Sequence, residues 1–313
     1  MKIAIAQIAP VVLDRDATTR RAADAIVEAG RGGAALVAFG ETFLPAYPLW
    51  LSRMDGARFD AGDVKDLHAA YLDQAVCIED GQLDPVRDAA RRAGTHVVMG
   101  LAERPRSRGG QTIYCSAVVI DDRGGVASVH RKLVPTYEER LAWGAGDGHG
   151  LRVHEVGPFT MGALNCWENW MPLARASLYA QGETLRVAIW PGSDGLTRDI
   201  TRFVAREGRS YVVSAGAIIG PKDVPPGVPH REQWADKDAP GGLYCNGGSC
   251  VAAPDGTWVV EPVVGREEIV YADLDPAMVR RERQNFDASG HYARPDVLSL
   301  SVDRTRQGVR FEG

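Results

Sequence analysis

Cys166 stands in the run Met161-Gly162-Ala163-Leu164-Asn165-Cys166-Trp167-Glu168-Asn169, after an apolar stretch and just before a helical pattern that begins near Pro172. In α/β folds, ligands and nucleophiles gather at the carboxyl ends of strands, where strand-to-helix turns leave backbone N–H groups free. Nearby positive charge at such a place favours thiolate, the reactive form of the side chain. The competing fate of a cysteine is to fill the core as a small hydrophobe. Lys132, in Val129-His130-Arg131-Lys132-Leu133-Val134-Pro135, also follows a strand. A lysine there is commonly a solvated cap. Leu133 and Val134 would partly desolvate this one, and a desolvated ammonium depresses a thiol pKa and stabilises developing negative charge.

Glu41 directly follows the apolar run 34–40 and precedes the largely apolar Thr42-Phe43-Leu44-Pro45-Ala46-Tyr47-Pro48. A glutamate wedged between such segments must be paired, or its pKa rises toward the range of a general base. The alternative is a simple strand-end carboxylate. Glu138 and Glu139 lie in the loop after Lys132, where glutamates commonly face solvent. A thiol, a lysine and a glutamate, each at the end of a different strand, can carry out nucleophilic acyl or imidoyl chemistry without a metal.

The elements that would position these groups alternate almost from end to end. Strands are expected at 3–7, 34–39, 97–101, 160–165, 185–190, 211–219 and 268–272. Helices are expected at 16–28, 83–93, 173–181, 198–207 and 276–283. The runs 112–120 and 125–130 pair through Asp121-Asp122-Arg123-Gly124, and 249–253 and 258–261 through Pro254-Asp255-Gly256, as hairpins. Two rounds of β-α-β, each closed by a hairpin, predict two sheets with helices on their outer faces. The expectation is a four-layer α/β fold in a single domain spanning 1–313, with a short C-terminal tail from about 298.

Composition narrows the function. The 313 residues are 45% hydrophobic and 25% charged, with a net charge of −5 and a pI of about 5.8. No basic excess marks a nucleic-acid or anionic-membrane surface. The longest nearly unbroken apolar stretch, 211–220, is about half the roughly 20 residues of a spanning helix. The chain opens on an apolar strand without a signal-peptide layout, so a cytoplasmic protein is expected. Five scattered cysteines and seven dispersed histidines form no disulfide framework and no metal-binding spacing. A phosphate loop and a dinucleotide fingerprint are both absent from the sequence. No cofactor and no metal are expected.

The sequence resembles the nitrilase branch of the carbon–nitrogen hydrolase (nitrilase) superfamily over nearly its whole length. Four ordered blocks carry the resemblance: Gly40-Glu41-Thr42-Phe43-Leu44-Pro45, His130 to Thr136, Leu164 to Asn169, and Gly290-His291-Tyr292-Ala293-Arg294-Pro295-Asp296-Val297. It implies an αββα sandwich in which Glu41 is the general base, Lys132 the lysine and Cys166 the nucleophile. The second glutamate of the family falls at Glu139, with Glu138 as the alternative. Gly40 stands where the family commonly has proline. The resemblance further implies a homodimer or higher homo-oligomer and a small-molecule nitrile, hydrolysed to acid and ammonia through a thioimidate and a thioester. The backbone N–H of Trp167 would assist Lys132, and Tyr47, Trp50, Trp167 and Trp190 would wall the pocket. Aromatic residues fill cores regardless, which is the other reading of those four. His291 would line the site or an interface, or be a hydrogen-bonded structural residue. Rival readings are an amidase or a cyanide-hydrolysing enzyme with the same site, an inactive binding or regulatory homologue, and a redox thiol protein.

Overall fold

Alternation along single strands sets the layers. In β1 (Lys2–Gln7), Ile3 and Ile5 point to one face and Ala4 and Ala6 to the other, and all four are fully buried. A strand buried on both faces belongs inside a layered structure. The computed structural model, which describes residues 1–235 and 239–308, shows those layers.

After β1 come helix α1 (Arg15–Arg31), the short strand β2 (Leu36–Ala38), and helices α2 (Trp50–Arg53), α3 (Gly62–Gln74) and α4 (Asp84–Ala93). Strands β3 (His96–Glu103), β4 (Tyr114–Ile120), β5 (Val126–Arg131), β6 (Val153–Val156) and β7 (Phe159–Asn165) follow. Then come α5 (Pro172–Tyr179), β8 (Leu185–Trp190), α6 (Asp194–Gly208), β9 (Tyr211–Gly216) and β10 (Ile218–Ile219). Helix α7 (Arg231–Trp234), strands β11 (Cys245–Ala252), β12 (Trp258–Val264) and β13 (Glu268–Asp273), and helix α8 (Pro276–Glu282) complete the order.

One sheet runs β13-β1-β2-β3-β4-β5, with β1, β2 and β3 parallel and antiparallel strands at both margins. The other runs β10-β11-β9-β8-β7-β6, with β12 paired to β11 and with β7, β8 and β9 parallel. Ile3, Ile5, Leu36 and Val98 of the first sheet share one core with Met161, Val187, Ile189 and Val213 of the second. On the outer face of the first sheet, Ala22 and Ile26 of α1 and Val86 and Ala90 of α4 cover Ala4, Val37 and Val97. On the outer face of the second, Ile200 and Val204 of α6 cover Ala188 and Val212. The result is a single α/β domain with the four layers expected from the sequence.

Several boundaries differ for physical reasons. Only Leu36–Ala38 form β2: the Phe39 N–H still reaches the Val98 carbonyl of β3 at 2.9 Å, and the chain leaves the sheet at Glu41, whose N–H turns to the Trp190 carbonyl. The run 211–219 splits into β9 and β10 where the Ala217 N–H turns aside to the Pro191 carbonyl. Helix α3 occupies a stretch for which the sequence predicts no element; of its residues only Leu67 and Tyr71 are fully buried. Residues 298–308 form no regular element, and Arg306 pairs with Asp147 at 3.1 Å and donates to the Val129 carbonyl at 2.6 Å. The last part of the expected tail, 309–313, lies outside the described residues. No helix among the described residues is long and apolar enough to cross a membrane.

Candidate active site

The carboxyl ends of β2, β5 and β7 deliver Glu41, Lys132 and Cys166 to one buried place. Glu41 crosses from the first sheet to the second, its N–H donating to the Trp190 carbonyl at 2.9 Å. That crossing needs room. A Cβ on Gly100 of β3 would lie 2.3 Å from the Thr42 nitrogen and 2.6 Å from Glu41 Cα. Gly40 is equally confined, because a Cβ there would lie 2.9 Å from both the Trp190 oxygen and the Ala217 nitrogen. Lys132 extends β5, and its N–H donates to the Cys115 carbonyl of β4 at 2.7 Å. Cys166 follows β7 at φ +47°, a left-handed conformation that costs a non-glycine residue on the order of 1 kcal/mol. The Asn169 amide holds that turn by donating to the Cys166 carbonyl at 2.9 Å.

The Lys132 ammonium joins the two carboxylates. Its Nζ donates to Glu41 Oε1 at 2.9 Å and to Glu139 Oε2 at 2.6 Å, with all three side chains buried. Glu139 is further fixed by the Thr136 N–H at 2.6 Å and the Tyr47 hydroxyl at 2.8 Å. Its place three residues after Thr136 makes it the carboxylate of a capping box, whereas Glu138 is only half-buried. The Cys166 Sγ and one oxygen each of Glu41 and Glu139 lie within 4.8 Å of one another. Such a donor set could begin a metal site, but Lys132 already supplies a cation bonded to both carboxylates.

Burial governs the proton affinities. It pushes the Glu41 carboxyl up to about 7, with Lys132 opposing and Glu139 adding to the rise. Burial also holds the Cys166 thiol well above its usual range, with Glu41 adding to the rise and Lys132 opposing it. For Lys132, burial opposes the charge, but Glu41, Cys166, Cys115 and Glu139 outweigh it and hold the ammonium well above the ordinary range. The resting site is thus a neutral thiol, a fixed ammonium and a carboxylate able to take a proton near neutrality. That combination can generate a nucleophile on demand and stabilise the charge its attack creates.

Glu168, quoted in the sequence only as part of its block, proves to be fully buried. It accepts the Asn165 N–H at 2.9 Å, the Leu133 N–H at 2.6 Å and His130 Nε2 at 3.1 Å. Burial alone would raise its carboxyl, but His130 and the two N–H donors prevail and hold it below its ordinary value. The signal for it was present, since Asn165-x-x-Glu168 has the capping-box spacing.

The aromatic residues divide. Tyr47 borders the site through Glu139 and meets Trp143 edge-on. The Trp167 backbone N–H opposes the rise of the Cys166 thiol, while the residue is 46% exposed and its indole stacks on Trp170. Trp190 brings its backbone carbonyl to Glu41, and its indole is buried beneath α6 with Nε1 on Ser214 Oγ at 3.2 Å. Trp50 lies edge-on to Tyr71 and helps line a groove of about 410 Å³ with Leu51, Val64, Leu141 and Ala142. His291 is exposed beside Tyr292 rather than packed into the structure.

Fold and site together define a hydrolase of carbon–nitrogen bonds. Residues 2–284 match the carbon-nitrogen hydrolase family. The chain belongs to that family, on its nitrilase branch. It is 36% identical to a nitrilase of Pseudomonas syringae pv. syringae, across 96% of this chain and 89% of that protein. It is 34% identical to an aliphatic nitrilase of Rhodococcus rhodochrous, across 97% and 79%. It is 32% identical to a bifunctional nitrilase/nitrile hydratase of Nicotiana tabacum, across 96% and 86%. An amidase of the nitrilase superfamily from Nesterenkonia sp. AN1 has the same fold, with a TM-score of 0.65 at 21% identity, across 91% of this chain and 94% of that one.

Proposed function

We propose that the chain hydrolyses an organic nitrile to the carboxylic acid and ammonia, with Cys166 as nucleophile, Glu41 as general base, and Lys132 and Glu139 completing the site. The observation that carries this reading is the Lys132 ammonium held at 2.9 and 2.6 Å between two buried carboxylates beside a buried thiol. The near full-length relatives called nitrilases support the choice of a nitrile.

Glu41 takes the thiol proton as Cys166 Sγ bonds to the nitrile carbon, and the C≡N bond becomes C=N. Lys132 and the Trp167 N–H stabilise the charge that gathers on nitrogen, which takes the proton from Glu41 to give a thioimidate and leaves Glu41 ionised again. Water, losing a proton to Glu41, adds to that carbon, and ammonia leaves as the carbon–oxygen double bond forms a thioester. A second water displaces the thiolate and releases the acid, and Cys166 recovers its proton. The balance is one nitrile and two waters in, one acid and one ammonia out. Glu139 orients Lys132 throughout, and Tyr47 orients Glu139.

One carbon–nitrogen hydrolase domain accounts for residues 1–313, with a short tail from about residue 298. The cytoplasm suits a chain whose five cysteines are all free and buried. Assembly as a homodimer or larger homo-oligomer is supported by Trp167, Trp170 and Phe203, three stacked rings that are 41–48% exposed.

The test is ammonia and acid release from a panel of small nitriles and their matching amides. Turnover of nitriles with the amides inert is expected. Turnover of amides alone would replace the nitrile reading with an amidase that uses the same residues.

A further inference from the structure

The site holds a second thiol that the reaction above does not use. Cys115 lies on β4 and is fully buried, and its backbone carbonyl anchors the N–H of Lys132. Its Sγ–H faces two acceptors, Glu41 Oε1 at 3.3 Å and Asn165 Oδ1 at 3.8 Å. One hydrogen serves one of them, and the nearer, charged oxygen is the stronger acceptor. Glu41 Oε1 therefore takes two donors, the Lys132 ammonium and the Cys115 thiol. Glu41 Oε2 is buried with no hydrogen-bond partner. A buried carboxylate oxygen left bare is costly unless a proton comes to it.

We propose that Cys115 is a positioning residue: its thiol and Lys132 together saturate Glu41 Oε1, leaving Oε2 as the atom that takes the proton of Cys166. The inference rests on the reading of Glu41 as the base for Cys166. It also gives a reason for sulfur at this place. An S–H is a weak donor, so it orients the carboxylate without stabilising its charged form as a hydroxyl would. Burial holds the Cys115 thiol well above its usual range, with Glu41 adding to the rise, so it keeps its hydrogen and remains a donor. The other groups that face Glu41 are Lys132, Glu139, Cys166, Tyr47 and Tyr71. Substitution at 115 leaves those side chains in place and changes the thiol's contacts with Glu41 and Asn165.

The test reads the Glu41–Cys166 pair without a nitrile. Alkylation of Cys166 by iodoacetamide is followed against pH, with the modified peptide identified by mass spectrometry. Wild type, Cys115→Ala and Cys115→Ser are compared, after near-ultraviolet circular dichroism has confirmed that each is folded. Removing the donor raises the proton affinity of Glu41, so the midpoint for Cys115→Ala moves up. The stronger hydroxyl donor lowers that affinity, so the midpoint for Cys115→Ser moves down. A displacement of about half a pH unit in each direction is expected, the worth of one modest hydrogen bond. If Cys115→Ala does not fold, the Ser variant decides alone by the direction of its displacement. Coincident profiles, or both variants displaced the same way, would overturn the proposal and show that the thiol only fills space. Nitrile turnover on the same samples reports separately: a wild type that turns over no nitrile yet shows the expected displacements fails the substrate assignment, not the role of Cys115.

Discussion

The Glu168 carboxylate accepts the Leu133 N–H at 2.6 Å and so ties the turn that carries Cys166 to the segment that carries Lys132. Nucleophile and ammonium come from different sheets, so no strand pairing fixes their spacing. Glu168 does, with Asn165 and His130 as its other partners.

Glu168→Gln is therefore expected to harm both stability and activity. Its carboxyl is held below its ordinary value of 4.5, so its contribution is present above that pH and is lost as pH falls through the folded value. Gln would present an NH2 to a place built of donors, and a buried donor left unsatisfied costs about 1–3 kcal/mol. Urea unfolding at pH 7 measures the cost. A variant as stable as wild type and fully active would remove Glu168 from the frame.

Glu41 behaves in the opposite sense. Its folded value near 7 lies above the ordinary 4.5, so its contribution to stability is present below about 4.5 and is lost as pH rises through 7. That loss is roughly 3 kcal/mol. Over the same interval the base form appears, so kcat/KM should rise with an apparent pKa near 7. Glu41→Gln is expected to abolish turnover and to flatten the decline of stability between pH 4.5 and 7. Denaturant unfolding across that interval is the measurement, and equal slopes for the two proteins would contradict the burial of Glu41 as a chargeable base.

Gly100→Ala should displace Glu41, because the new Cβ would meet backbone atoms of residues 40–42 that cannot yield as a flexible side chain would. A loss of 1–3 kcal/mol in stability, on the order of other overpacked cores, is expected together with a fall in kcat of about 10²-fold. Gly62→Ala, where nothing lies within 4 Å of the new atom, is the control and should leave both unchanged or raise stability slightly. Equal behaviour of the two variants would show that the Glu41 turn has slack.

The site was legible in the sequence wherever chain position and residue type agreed. Glu41, Lys132 and Cys166 each follow a strand, which marked them as candidates, but only the resemblance to the nitrilase branch joined the three in one site. The choice between Glu138 and Glu139 needed the capping geometry of Thr136, which turns one inward and leaves the other half-buried. Cys115 was hidden because a cysteine within a buried strand looks like any small apolar residue until its neighbours in space are known. Glu168 showed its capping-box spacing with Asn165 but not its tie to Leu133 and His130, which are more than thirty residues away. The fold was legible in its layers and less so at its edges. Helix α3, with two buried residues, gave too weak a pattern to be noticed.

The central claim is that the thiol of Cys166 is the group that attacks substrate. Ammonia release from a nitrile turned over by wild type, measured for Cys166→Ala at pH 7.5 or about that value, tests it most directly, with unfolding checked alongside. The variant is expected to fold and to release ammonia about 10⁴-fold or more slowly, since the remaining groups can only bind and polarise the substrate. Ammonia release within tenfold of wild type from the folded variant would contradict it.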